Sequence, residues 1–172
     1  MLLIGANNLL DDPTAPIIWR GSLISNLVKT LYSTTIFNEL DVLLIDMPPG
    51  TGDVALTIFQ MLPVDDLIII TSPQDLVSMI VTKALKMANM MHINVLGVIE
   101  NMSYYKCPDC GKELKVFGES HLEDFARQMN FDILAKLPLN SDNTELVDKG
   151  MAEFIDLPEI NSAVEAILKE EK

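Results

Sequence analysis

The sequence predicts an α/β protein with a doubly wound, mostly parallel sheet. Three observations carry this. Short apolar runs alternate along the chain with longer stretches of helical periodicity. The runs show little polar alternation, as strands buried on both faces do. The links between them are short, which suits strand–helix–strand crossovers in one sheet. Residues 2–4 read as the first strand. Residues 22–34 read as a helix, with Leu23, Leu27 and Leu31 on one face beside Ile24 and Val28. Residues 42–45 are the next strand. A helix over 53–62 is capped by Asp53 and stopped by Pro63. Residues 67–71 form a strand expected to be buried on both faces. Residues 76–91 form a long helix, with Leu76, Ile80, Ala84, Met87 and Met91 on one stripe. Residues 95–99 are the following strand, and 103–118 break into a polar insert. Ser120-His-Leu-Glu123 matches a capping box, and the helix behind it aligns Leu122, Phe125, Ala126 and Met129. A short strand over 133–137 ends at Pro138. A last helix over 158–169 turns Ile160, Ala163, Val164, Ile167 and Leu168 inward.

Composition narrows the function classes. The chain has 172 residues, enough for one domain with a core. It is 49% apolar, with a mean hydropathy of +0.27. No uninterrupted apolar stretch reaches about 18 residues, so no membrane span is expected. The opening Met-Leu-Leu-Ile-Gly is too short for a signal peptide and has no basic flank, so a cytoplasmic location is expected. The surplus apolar content belongs to a sheet buried on both faces, or to a surface that a further segment covers. The ten methionines sit mainly on helices and read as core filler. The formal net charge of −13 repels phosphate backbones, so no nucleic-acid partner is expected. The acidic final helix does not suit a membrane partner.

The densest signal is Asp41-Val-Leu-Leu-Ile-Asp46-Met-Pro-Pro-Gly50-Thr-Gly-Asp53. An apolar run ends in a carboxylate, and a glycine-rich turn then opens a helix. In a doubly wound fold, such a strand would carry Asp46 to the ligand-binding edge of the sheet. Asp46 can hold a Mg²⁺-bound water, and the amides of Gly50, Thr51 and Gly52 can face a terminal phosphate. Rigid prolines feeding flexible glycines suit a turn that senses a phosphate. The phosphate-loop pattern G-x-x-x-x-G-K-S/T is absent from these residues.

The only cysteines, Cys107 and Cys110, form a C-x-x-C within Lys106-Cys-Pro-Asp-Cys-Gly111. Pro and Gly give a tight turn that aims two sulfurs at one ion. Two thiolates cannot complete a tetrahedral site, so two chains could close it around zinc or an iron–sulfur cluster. The single pair thus hints at a homodimer. A free dithiol, or half a zinc knuckle with ligands elsewhere, are the other readings. His92 and His121 lack knuckle spacing and read as surface residues. Asn101, at the end of a strand, can read an adenine edge through its paired donor and acceptor, or serve as a turn residue. Trp19-Arg20-Gly21 reads either as an interface anchor or as a core Trp beside a solvated Arg.

Taken together, these segments resemble the Mrp/ApbC family of iron–sulfur cluster carrier ATPases, within the MinD/ParA group of P-loop proteins. The resemblance covers residues 4–155. Its matching pieces are Ile18-Trp-Arg-Gly21, Asp46-Met-Pro-Pro-Gly-Thr-Gly-Asp53, Ser72-Pro-Gln-Asp75, Gly97-Val-Ile-Glu-Asn-Met-Ser103, Cys107-Pro-Asp-Cys-Gly111, Phe117-Gly118 and Leu137-Pro-Leu139. It implies that Asp46 is the Mg²⁺-associated acid and that the run from Gly50 to Asp53 is a switch sensing the γ-phosphate. It implies that Asn101 reads adenine, with the Pro138 turn near the base. It also implies that Cys107 and Cys110 hold a bridging [4Fe-4S] cluster between two subunits, for ATP-controlled delivery to apoprotein acceptors. Family members begin with a strand, a phosphate loop bearing two lysines and an aspartate-containing first switch. This chain starts after those pieces.

The resulting expectation is a single, incomplete P-loop NTPase-like domain over residues 1–172, missing its first βα unit, with 103–118 as a metal-binding insert. The expected function is that of an Mrp-type cluster carrier or scaffold, with ATP and Mg²⁺ bound in complete family members. Alone, the chain is expected to be inactive as an ATPase and prone to self-association. The alternatives are a non-catalytic zinc- or cluster-binding regulatory module and a MinD-like spatial regulator ATPase.

Overall fold

A computed structural model describes residues 3–5, 8, 12, 22–74 and 77–169. They fall into two compact units, Met1–Val64 and Asp65–Lys172.

In the first unit, helix α1 spans Ser22–Thr34, the expected bounds; Ile24, Leu27, Val28 and Leu31 are half-buried, but Leu23, expected on the same face, is 58% exposed. Helix α2 spans Asp53–Met61 and buries Ala55, Ile58 and Phe59. The two helices are joined by a hydrogen bond of 2.7 Å between Ser25 Oγ and Thr57 Oγ1. After α1, the rings of Tyr32 and Phe37 meet at 5.8 Å between centroids. Gly52, not Asp53, is the cap of α2, and no side chain caps that helix. Residues 42–45 do not form the expected strand: they join no ladder, and Leu44 is 73% exposed. A strand exists only where a neighbour takes its N–H and C=O groups, and among the described residues none pairs with this run. Leu3 and Ile4 are likewise exposed and unpaired in any sheet, while Leu2 lies outside the described residues.

The second unit is built on a sheet of four strands. These are β1 Asp66–Thr71, β2 Asn94–Lys106, β3 Glu113–Leu114 and β4 Ile133–Leu139. Strand β2 is central, pairing in parallel with β1 on one side and with β4 on the other. Short β3 runs antiparallel to the far end of β2, on the side that β1 leaves free after Thr71. Helices α3 Val77–Met90 and α4 Leu122–Met129 cover one face, where Val81 and Leu122 pack on Ile69 and Val98. Helix α6 Asn161–Lys169 covers the other face, where Ala163 packs with Ile99, Leu134 and Ala135. Helices on both faces of a mostly parallel sheet make the arrangement doubly wound.

The details differ from the periodicity in instructive ways. β1 is not buried throughout: Ile68 packs into the α6-side cluster, but Ile70 is 61% exposed. Burial on both faces needs a helix over each, and nothing among the described residues covers Ile70. On α3 the inward stripe is Val81, Ala84, Leu85 and Ala88, one residue round from the expected stripe, and Ile80 faces out. Both stripes are apolar and share Ala84, so periodicity alone could not choose between them. Leu76 lies outside the described residues. On α6, Val164 and Leu168 are exposed rather than inward. The stretch 158–160 is a 3-10 turn that leads into α6. Helix α5, Ser141–Asp148, was not anticipated; Asn140 caps it by accepting from Asp142 N–H at 2.8 Å.

At Gly97 the β2 and β4 backbones approach too closely for a side chain. A Cβ there would lie 2.6 Å from Asp132 O, which already accepts from Val98 N–H at 2.8 Å, and 2.7 Å from Leu134 Cγ. Gly97→Ala should therefore cost about 2 kcal/mol through forced backbone separation. Urea unfolding measures it, and a midpoint equal to that of the unmodified chain would contradict this packing.

Candidate functional site

In the first unit the candidate residues lie along one exposed loop. Asp46 is exposed and follows the unpaired 42–45 run, so no sheet strand delivers it. Gly50 has φ +93, a conformation that favours glycine, and a Cβ there or at Gly52 would meet nothing within 4 Å. Gly52 O receives the Leu56 N–H at 3.2 Å and starts α2. Thr51 is exposed, and Asp53 stands in the first turn of the helix, where a negative charge is favoured. The loop thus presents helix-start amides and two carboxylates to solvent.

In the second unit, β2 bulges strongly. Glu100 pairs with Lys136 and Tyr104 with Pro138, so four steps on β2 match two on β4. Asn101, Met102 and Ser103 fill the excess, and Met102 adopts φ +57. Asn101 Oδ1 accepts the Met102 N–H at 2.9 Å, which stabilises the turn from within and leaves its amide NH₂ uncommitted to that bond. Pro138 was expected to end β4 but lies inside the ladder. It is tolerated because, among the described residues, β4 pairs on one side only and needs no second row of donors. Asn101 and Pro138 thus sit on neighbouring strands at the carboxyl edge of the sheet.

The cysteine insert is more ordered than its polar composition suggests. β2 runs on to Lys106 and β3 returns, with Lys106 opposite Glu113. At the tip, Cys107 N–H donates to Lys112 O and Gly111 N–H to Cys107 O, both at 2.9 Å. Gly111 makes the turn at φ +70. Both cysteines are free; Cys107 is half-buried and Cys110 exposed. The Cys107 thiol is held below its ordinary pKa, chiefly by the backbone N–H of Cys110, then by that of Asp109 and by the Cys110 side chain. Those donors point at the sulfur and favour its anion, the form that binds metal. Among the described residues no third His, Cys, Asp or Glu joins the pair into a metal-binding group. Both His92 and His121 are exposed.

A polar cluster beneath the bulge was not foreseen. Glu100 is 2% exposed and accepts from Ser103 Oγ and, at 2.5 Å, from Ser120 Oγ. Lys136 Nζ stands 3.9 Å from it and forms an ion pair with Glu123, whose carboxyl the lysine holds below the usual range. The expected capping box does not form: His121, not Ser120, is the cap of α4 and no side chain caps it, while Ser120 Oγ accepts from Leu122 N–H at 3.2 Å and Glu123 pairs with Lys136. Beside Glu100 across the ladder, Thr71 Oγ1 is buried with no hydrogen-bond partner among the described residues. Nearby, Tyr104 is pushed above its ordinary pKa by burial and then by Glu159 and Glu113. The signal for the cluster was present in the sequence: one Glu inside an apolar strand. Trp19, Arg20 and Asp75, which belong to two of the motifs, lie outside the described residues.

Helices on both faces of a mostly parallel sheet define the second unit as a doubly wound α/β fold. The family model described as "ParA: NUBPL iron-transfer P-loop NTPase" matches residues 1–170, and the chain belongs to that family. A Clostridium perfringens protein named "Iron-sulfur cluster carrier protein" is 42% identical over 151 residues, 88% of this chain and 53% of its own length. A protein of the same name from Methanocaldococcus jannaschii is 42% identical over 144 residues, 83% of this chain and 50% of its own. The chain spans about half the length of the curated relatives it matches. Among solved structures, a nucleotide-binding protein from Archaeoglobus fulgidus in complex with ADP superposes with a TM-score of 0.73 at 37% identity, over 80% of this chain and 56% of that one. The MinD cell division protein of Aquifex aeolicus shares the fold, with a TM-score of 0.56 at 16% identity, over 91% of this chain and 62% of that one.

The amides around Cys107 yield a direct test. Its alkylation by iodoacetamide, followed by mass spectrometry across pH, should have a midpoint below the free-thiol value of about 8.5. A midpoint at or above that value would remove the amide-stabilised thiolate.

Proposed function

We propose that this chain is part of an iron–sulfur cluster carrier whose cargo is held by Cys107 and Cys110 and passed to apoprotein acceptors. The observation that carries it is the hairpin tip, where two free thiols share a turn whose amides favour the Cys107 thiolate. The family description and the names of the relatives support the same reading. Cluster binding is ligand exchange: the thiols release protons as their sulfurs bond to iron, and transfer replaces those bonds with an acceptor's thiolates. Two sulfurs leave half of a four-thiolate set unfilled, and a second copy giving its own 103–118 insert would fill it; the resemblance to the carrier family makes the cargo of such a homodimer a bridging [4Fe-4S] cluster.

Nucleotide binding is the second half of the proposal. Asp46, as an exposed carboxylate, offers the hard oxygen donors that Mg²⁺ takes through its waters. Gly50, Thr51 and Gly52 offer amides to a phosphate, with Asp53 at the helix start as the second acid. Asn101 offers its amide to the base edge, with Pro138 on the adjoining strand. The ADP complex of the Archaeoglobus relative supports nucleotide binding as such. The setting proposed for the carrier is the cytoplasm; among the described residues no helix is long and apolar enough to cross a membrane.

Anaerobic reconstitution with iron and sulfide should give a brown protein with about two irons per chain, one four-iron cluster per pair. It should sediment as a dimer, and Cys107→Ser should abolish the colour. A chain that retains zinc and never iron would favour a regulatory metal-binding module instead. Phosphoryl transfer rests mostly on positioning and charge neutralisation, and these 172 residues contain no lysine-bearing phosphate loop. Phosphate release by the purified chain should therefore match a blank without protein. Hydrolysis above that blank would show that this chain has its own phosphate cradle.

A further inference from the structure

Glu100 has no part in the roles above, yet it is the most completely buried charged side chain in the second unit, 2% exposed in the middle of an apolar strand. Burying a carboxylate is unfavourable unless it is paired and hydrogen-bonded, so strand packing alone would suit an apolar residue better. Its bonds explain its presence. Oε2 accepts from the Ser103 hydroxyl, and Oε1 accepts from Ser120 Oγ at 2.5 Å. Ser103 ends the bulge that begins with Asn101, and its hydroxyl lies 3.3 Å from Glu100 O. Ser120 follows the cysteine insert and holds the start of α4 through Leu122 N–H at 3.2 Å. The two serines therefore mark the outgoing and returning ends of the segment that carries Cys107 and Cys110. Lys136, in register with Glu100 on β4, sets a positive charge 3.9 Å from the carboxylate.

We propose that Glu100 is a positioning residue that staples the base of the cysteine insert, one carboxylate oxygen on each end, and ties it to the Asn101 bulge. A displacement of the bulge then reaches the hairpin through a shared side chain as well as along β2. This gives the carrier a physical link between nucleotide contact at Asn101 and grip on cargo at the cysteines, and in that respect it rests on the function proposed above. The staple itself is independent of that function.

Hydrogen exchange on the full apo chain, read by mass spectrometry, tests the staple. Glu100→Ala should speed exchange in both 101–106 and 116–122 by roughly tenfold, the equivalent of about 1.4 kcal/mol of lost local protection. Ser120→Ala should speed 116–122 alone, and Ser103→Ala should speed 101–106 alone. Glu100→Gln should stay within about threefold of the unmodified chain, since its amide can accept from Ser120 and donate to Ser103. In the reconstituted protein, Glu100→Ala and Ser120→Ala should also release the cluster to a chelator about tenfold faster, matching one lost hydrogen bond to a charged group. Unchanged exchange in both segments, or faster exchange spread evenly over the chain, would overturn the staple. If Glu100→Ala does not fold, the two serine variants decide by the same readouts. If the unmodified chain takes up no cluster, the carrier reading fails while the exchange result still judges the staple.

Discussion

Strand β2 is the member on which the second unit depends. Among the described residues it is the only strand with a parallel partner on each side, and its centre, from Val98 to Glu100, is sealed between helices on both faces. Each pairing satisfies backbone groups that could not be left bare in so apolar an interior. The strand then leaves the core by way of the bulge at 101–103 and continues as one arm of the cysteine hairpin. One run of backbone thus links the buried sheet, the polar edge and the thiols. The bulge matters because it breaks the ladder with β4 after Glu100 and re-forms it at Tyr104, allowing Asn101 to leave the pleat without ending the strand.

Polar groups follow the same division between core and edge. The interior clusters are aliphatic and aromatic up to the carboxyl end of the strands, where Thr71, Glu100 and Ser103 are buried together. Glu100 is satisfied by two hydroxyls and the nearby Lys136, and that lysine is itself shared with Glu123. Farther out, the cysteines have left the core, and the Cys107 thiol is held below its ordinary pKa chiefly by backbone N–H groups. A thiolate stabilised by amides stays available to a positively charged metal, whereas one already paired with Lys or Arg would have to give up that partner first. The sulfurs stand at the tip of the hairpin, where Cys110 is exposed.

Family membership and fold converge from separate observations. The family model spans 1–170, and the ADP-bound relative superposes over most of the chain. The chain spans about half the length of its relatives, and its 42–45 run, so strand-like in composition, lies exposed and unpaired. Composition can make a segment suited to a sheet, but only a neighbouring strand makes it one.

Much of this protein could be read from residue order alone. Helix α1 falls where its leucine spacing puts it, and β1, α3, α4 and β4 begin within a residue or two of their signals. The positive φ of Gly50 after Asp46 and of Gly111 beside the C-x-x-C is also local, because turn conformation depends on neighbours a few positions away. The remainder was settled by contacts between distant residues. Which apolar stripe of α3 faces the sheet was decided by packing, where Val81, Ala84 and Leu85 join Ile69 and Val98. Whether Glu123 completes a capping box or pairs with Lys136 depended on a strand ten residues away. The burial of Glu100 between Ser103 and Ser120 required the insert to fold back on itself. Local geometry is written in short spacings, whereas burial and pairing exist only once the sheet has brought its edges together.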